Sequence, residues 1–111
     1  MTVYDTANDL ARQLKECREY KEYKEMKDIV YANPDLKDKV EEFEKIRYET
    51  QLLEIQGEKQ DEEKMKKLQE LYNILLENKE IKKYFDTEVR FNVLLADVNK
   101  IIGDAVKDVL R

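Results

Sequence analysis

Residues 79–109, KEIKKYFDTEVRFNVLLADVNKIIGDAVKDV, decide the fold of this chain. Their apolar side chains alternate spacings of four and three residues, which is the pattern of a coiled-coil seam. The seam consists of Phe91, Leu95, Val98, Ile102, Ala105 and Val109, and Leu94 and Ile101 widen it. A helix of this length would measure about 45 Å, whereas a compact domain of this size is roughly 35 Å across. Either the helix bends or breaks, or another chain covers its end. We favour a second copy.

The residues before this stretch predict further helices. Asn33-Pro34-Asp35 is a helix start, because Asn caps exposed N–H groups, Pro fits the first helical position and an acid suits the helix dipole. The helix that starts there should run to about Gln56, with Gly57 as the residue that ends it. Asn78 either caps a separate last helix or lies at a kink in one continuous helix.

Three more amphipathic segments complete the pattern. The spacing of apolar residues predicts helices from Thr2 to about Glu16 and from about Glu62 to Glu77. Between them, after a brief break at Cys17 and Arg18, a second apolar stripe starts at Tyr20 and ends before Pro34. We therefore expect an all-α fold with four to five amphipathic helices, two of them long. Residues 1–111 should form one domain, a helical bundle completed by dimerisation.

Composition excludes most catalytic and metal chemistry. The chain contains no histidine, which is the commonest general base and the commonest transition-metal ligand. Its one cysteine, Cys17, allows neither an intrachain disulfide nor a zinc or iron–sulfur site within one chain. Acid pairs such as Glu41/Glu42 and Glu62/Glu63 follow the spacing of a solvated helix face. We expect no enzymatic activity and no cofactor.

Charge and hydropathy indicate which classes of partner and which cellular location are expected. The net charge is −5, and acids and bases are interspersed, so nucleic acid is an unfavoured partner. Two small lysine groups, Lys64, Lys66 and Lys67 and then Lys79, Lys82 and Lys83, keep an RNA-associated role open as the alternative. No apolar stretch approaches the roughly 20 residues that span a bilayer, and Met1–Leu10 contains acids and no apolar run. We expect a cytoplasmic protein without membrane contact.

Interaction residues are expected on the long helices. The surplus apolar face predicts a homodimer and a possible protein partner, and polar groups beside it could fix the pairing register. The candidate interface comprises Phe43, Arg47, Phe91, Asn92, Leu95, Val98, Ile102 and Val109.

Four segments together resemble the YlbF/YmcA family of bacteria, and most closely its YheA-like branch. They are the opening Val3-Tyr4-Asp5-Thr6-Ala7-Asn8-Asp9-Leu10, the Tyr20-Lys-Glu-Tyr23 segment, Asn33-Pro34, and the run from Glu88-Val-Arg-Phe91-Asn92 to Asn99-Lys-Ile-Ile-Gly103. The likeness spans nearly the whole chain. Its motifs are helix starts and core patterns, so it indicates a family and not an activity.

This resemblance implies an all-helical, dimeric, cytoplasmic protein. Better-studied relatives act as regulatory adaptors, whereas the YheA-like branch resembles a family of unassigned function. Relatives in the family assemble with other proteins, affect competence, sporulation and biofilm programmes, and influence an endoribonuclease that processes messenger RNA. Some of those assemblies carry iron–sulfur clusters on cysteines. This chain departs from that pattern, because it has only Cys17 and no cysteine near its C-terminus. Cluster binding is therefore not expected here.

Overall fold

The structure, a computed structural model, describes residues 2–110. These residues form five α-helices: α1 (Val3–Glu16), α2 (Arg18–Tyr31), α3 (Pro34–Ile55), α4 (Glu62–Leu76) and α5 (Lys79–Leu110). Both long helices of the sequence prediction are present, as α3 with 22 residues and α5 with 32 residues. The predicted all-α class is confirmed.

Side-chain caps set where the helices begin. The Oδ1 atom of Asn33 accepts hydrogen bonds from the N–H groups of Asp35 and Leu36 at 3.0 and 3.3 Å. Asn78 does the same for Glu80 and Ile81, at 2.9 and 3.1 Å. Such caps satisfy N–H groups that have no partner within the helix. Asn78 therefore separates two helices, which decides between the two alternatives left open by the sequence.

Gly57 ends α3 as the sequence predicts. Its φ of +70° lies in the left-handed region that favours glycine. The N–H of Glu58 donates to the carbonyl of Leu53 at 2.9 Å, and the N–H of Gly57 donates to that of Glu54 at 3.1 Å. These two bonds form a Schellman motif, which reverses the chain toward α4.

The hydrophobic core lies around the N-terminal half of α5. Helices α2, α3 and α4 each contribute buried side chains that pack on that half. The core consists of Met26, Val30, Val40, Phe43, Leu75, Ile81, Tyr84 and Phe85. Helix α1 contributes no buried residue.

The molecule is elongated, because α5 extends well beyond this core. Its principal extents are 49 × 36 × 16 Å and its radius of gyration is 17.5 Å. A compact domain of about 100 residues has a radius of gyration of about 13 Å. The C-terminal half of α5 consequently has few neighbours in its own chain.

Candidate interaction surface

The C-terminal arm, which we define as residues 99–110 of α5, is exposed along its whole length. Its large apolar side chains are largely exposed to solvent, although they form a continuous apolar face. The exposed fractions are 71% for Ile101, 52% for Ile102, 38% for Val106, 82% for Val109 and 77% for Leu110. The arm is therefore an apolar surface that its own chain leaves uncovered.

Helix α1 lies beside the arm and leaves an open cleft. Val3, Ala7 and Leu10 on α1 and Ile102 on α5 line this cleft, with Thr2 and Thr6 at its edge. The cleft has a volume of about 520 Å³ and is lined mainly by apolar side chains. Val3 is 82% exposed. The apolar stripe predicted for the first helix thus faces the same open space as the arm.

Two residues of the predicted interface lie elsewhere. Phe43 is 5% exposed and packs inside the core against Tyr72 and Phe85, with ring centroids 5.6 and 5.5 Å apart. Arg47 donates to the carboxylate of Glu88 within the same chain at 3.2 Å. Phe43 is a core residue of its own chain, because α4 and α5 cover this face of α3.

The other six predicted residues follow α5 outward from the core. Phe91 is half-buried, and its ring lies 5.7 Å from that of Tyr20 and 5.8 Å from that of Tyr23. The remaining positions are half-buried at Leu95 and Val98 and exposed at Asn92, Ile102 and Val109. The seam is thus covered by α2 at its start and open at its end.

A polar cluster that the sequence did not reveal joins three helices. Glu88 on α5 is 8% exposed. Its carboxylate accepts hydrogen bonds from Arg47 on α3 at 3.2 Å and from the hydroxyl of Tyr23 on α2 at 3.4 Å. Because a buried carboxylate is costly unless it is paired, these contacts offset the burial of its charge. The cluster fixes α2 and α3 against α5.

Burial perturbs several groups around this cluster. Burial raises the pKa of Tyr84 far above that of an ordinary tyrosine, and burial also raises the pKa of Tyr23. Burial raises the pKa of the Glu44 carboxyl as well; the guanidinium of Arg47 opposes that shift and the carboxylate of Glu88 adds to it. These shifts are those of a packed helical core, in which charged forms are disfavoured.

Two of the lysines considered for RNA contact are paired with acids. Lys64 lies 3.1 Å from the carboxylate of Glu49, and Lys67 lies 3.5 Å from that of Glu42. Both pairs are surface pairs across α3 and α4, so they contribute little stability, but they cancel local positive charge. This surface does not present the concentrated basic charge that attracts a phosphate backbone.

Residues 2–110 offer neither a cluster of metal ligands nor a bilayer-spanning helix. Within that range no three His, Cys, Asp or Glu side chains cluster in a way that could hold a metal ion. The thiol of Cys17 donates to the carbonyl of Leu14 at 3.0 Å, at the junction of α1 and α2. None of the helices described combines the length and apolar content that a bilayer-spanning helix requires.

Known bacterial proteins resemble this chain along nearly its whole length. Residues 3–107 match the family described as "Control of competence regulator ComK, YlbF/YmcA". A UPF0342 protein of Symbiobacterium thermophilum is 38% identical over 104 residues, which are 94% of this chain and 93% of that protein.

Two solved structures share the fold. A DUF964 protein from Bacillus stearothermophilus superposes with a TM-score of 0.81 at 12% identity, over 98% of this chain and 96% of that one. YheA from Bacillus subtilis gives a TM-score of 0.70 at 21% identity, over 97% of this chain and 98% of its own. The arrangement of helices described above is therefore one that other proteins adopt.

Proposed function

The chain belongs to the YlbF/YmcA family, and on that premise we propose that it is a non-enzymatic regulatory adaptor. In this proposal the protein works in the cytoplasm as a homodimer and also contacts a protein partner. The observation that carries it is the uncovered apolar surface formed by the C-terminal arm and the facing stripe of α1. The family description, which concerns control of a competence regulator, supports a regulatory role.

The size of this surface suits one side of a stable interface. Fully burying a large aliphatic side chain is worth about 1.5–3 kcal/mol, which at about 25 cal/mol per Å² corresponds to roughly 60–120 Å². The exposed fractions of Val3 and the five arm residues add up to about four whole side chains, or roughly 250–500 Å² of apolar area. A standard interface buries about 800 Å² per partner, of which somewhat more than half is apolar. The upper part of the estimated range matches the apolar area on one side of such an interface.

A second copy is favoured over a solitary chain by the cost of leaving this area in water. The exposed side chains lie together on one end of the molecule, and patches of that size on soluble proteins are often functional. The charges of the arm also permit self-association. Lys100 and Lys107 balance Asp104 and Asp108, so two arms can approach without the repulsion expected from the chain's net charge of −5.

Direct RNA binding is the alternative function, and it has less support than the adaptor role. Two of the six lysines that motivate it are paired with acids across α3 and α4. If RNA were a ligand, affinity would fall steeply with salt. A gel shift at low salt that disappears as salt is raised would support RNA binding.

A complementation experiment tests the regulatory role. The gene is deleted in its own bacterium, and the amount of the competence regulator is measured in that strain. The strain is then complemented with the wild type, with Ile102→Ser/Val109→Ser, or with the matched control Ile55→Ser/Ile74→Ser. The control pair has nearly the same exposures, 81% and 54%, but lies on α3 and α4.

We expect deletion to change the amount of the regulator, and we expect the wild type and the control to restore it. The arm variant should fail to restore it. An unchanged amount after deletion would contradict the regulatory role. Full restoration by the arm variant would contradict the role of the arm.

A further inference from the structure

Gly103 has no explanation within its own chain. It lies inside α5, where glycine is among the poorest helix formers. Its φ is not positive, so the backbone does not require glycine. A Cβ built at this position would meet nothing within 4 Å, so no neighbour in the chain needs the space. Gly57, by contrast, is explained by its positive φ.

One face of α5 around Gly103 has the spacing of a helix–helix contact. Leu95, Asn99, Ile102, Val106 and Leu110 follow each other at intervals of four, three, four and four residues, so they lie on one side of the helix. Gly103 borders this face next to Ile102. From residue 99 onward the face is exposed throughout.

We propose that the arms of two copies cross antiparallel about a two-fold axis between residues 102 and 103. Ile102 of each copy then packs over Gly103 of the partner subunit. This inference rests on the proposed homodimer and specifies its geometry. The occupant of the uncovered face is a second copy of this chain, and the contact is isologous.

This geometry gives the glycine a physical role. Small residues let two helices approach closely at a crossing, and a large residue opposite fills the space. Parallel arms would instead place Gly103 against the partner's Gly103 and Ile102 against the partner's Ile102, so the large side chain would have no small residue opposite it. The antiparallel register also pairs Leu95 with the partner's Leu110, and Asn99 with the partner's Val106.

The antiparallel register covers the whole arm without bringing the two cores together. The two-fold axis lies at the middle of residues 95–110, so the contact between the two helices includes all of residues 99–110. The core residues Ile81–Phe85 lie about 20 positions before Gly103, which is roughly 30 Å along a helix. The two cores would thus lie at opposite ends of the pair. The second arm would also fill the open cleft beside α1, giving a four-helix bundle of two α1 and two α5 helices.

A size-exchange experiment tests the contact between residues 102 and 103. Gly103→Leu should weaken the dimer about tenfold to hundredfold, because the added side chain overpacks the crossing in both copies. Ile102→Ala/Gly103→Leu should recover most of that loss, since the new leucine then packs over the partner's alanine. The single chain should still fold in both variants, because the space at residue 103 is open. Ile102→Ala should cost the single chain only about 1 kcal/mol, since Ile102 is 52% exposed.

Disulfide cross-linking tests the register independently. Cys17→Ser removes the native thiol, and Asn99→Cys/Val106→Cys is added to that background. These two sites are seven residues, or about 10.5 Å, apart on one helix, which is too far for an intrachain disulfide. We expect oxidation to give a covalent dimer on non-reducing gels. Asp97→Cys/Asp104→Cys, at the same spacing on the far side of α5, is the matched control and should remain monomeric on the gel.

The outcomes separate the two proposals. A monomeric wild type would overturn the proposed homodimer. A dimeric wild type in which Gly103→Leu has no effect, or in which the control pair cross-links as well as the test pair, would overturn the crossing alone. Efficient cross-linking of Asn99→Cys by itself would indicate parallel arms and would also overturn the crossing.

Discussion

Replacing two exposed residues of the arm should weaken self-association without unfolding the chain. In Ile102→Ser/Val109→Ser, the residues changed are 52% and 82% exposed. Serine has nearly the helix propensity of isoleucine and valine, so α5 itself should be little affected. The single chain should lose about 1 kcal/mol, because roughly half of Ile102 is already buried.

The expected loss in the dimer is larger. The exposed parts of the two side chains amount to about one and a third whole side chains, worth roughly 2–4 kcal/mol in each copy if fully covered. Only part of the free energy expected from buried apolar area appears as binding free energy, because association has its own entropic costs. If half is realised, two copies together lose about 2–4 kcal/mol, and the dimer dissociation constant rises roughly 30- to 1000-fold.

Sedimentation equilibrium over a dilution series measures this change, and urea unfolding measures the stability of the chain. Ile55→Ser/Ile74→Ser is the control, because its residues are 81% and 54% exposed. It should cost the single chain about as much and leave association unchanged. The reasoning would be refuted if the arm variant associated as tightly as the wild type, or if the control weakened association equally.

Three further predictions concern stability. Ile81→Ala should cost about 2–5 kcal/mol in urea unfolding, because Ile81 is 0% exposed and its truncation leaves a cavity in the core; a loss below about 1 kcal/mol would contradict its place in the core. Asn78→Ala should cost about 0.5–2 kcal/mol, through loss of the bonds to Glu80 and Ile81; unchanged stability would show that the cap is unimportant. The raised pKa of Glu44 means that the folded state holds this proton more tightly than the unfolded state, so its contribution to stability falls as pH rises through that pKa. Glu44→Gln should therefore gain stability relative to the wild type from pH 4 to pH 7, and a difference that does not change with pH would contradict this.

Local signals predicted the helix boundaries well. Asn33-Pro34 and Gly57 bound α3 because capping and the left-handed conformation depend on residues a few positions apart. Asn78 was ambiguous in sequence, because one asparagine can cap a helix or lie within it. The structure resolves it through two hydrogen bonds to the next helix.

Tertiary contacts were harder to predict. The period of α3 shows that Phe43 lies on an apolar face, but not that α4 and α5 cover that face. Glu88 resembles a surface acid, since its partners Arg47 and Tyr23 are 41 and 65 residues away. The uncovered arm was predictable from the sequence, because the last helix is longer than the diameter of a compact domain of this size.

The central claim is that the apolar arm of α5 is covered by a second copy, and light scattering coupled to size exclusion tests it most directly. The wild-type chain has a mass of 13.4 kDa, so the account predicts twice that value, about 27 kDa, with dissociation on dilution. A mass of one chain at the highest concentration that stays soluble would contradict the account.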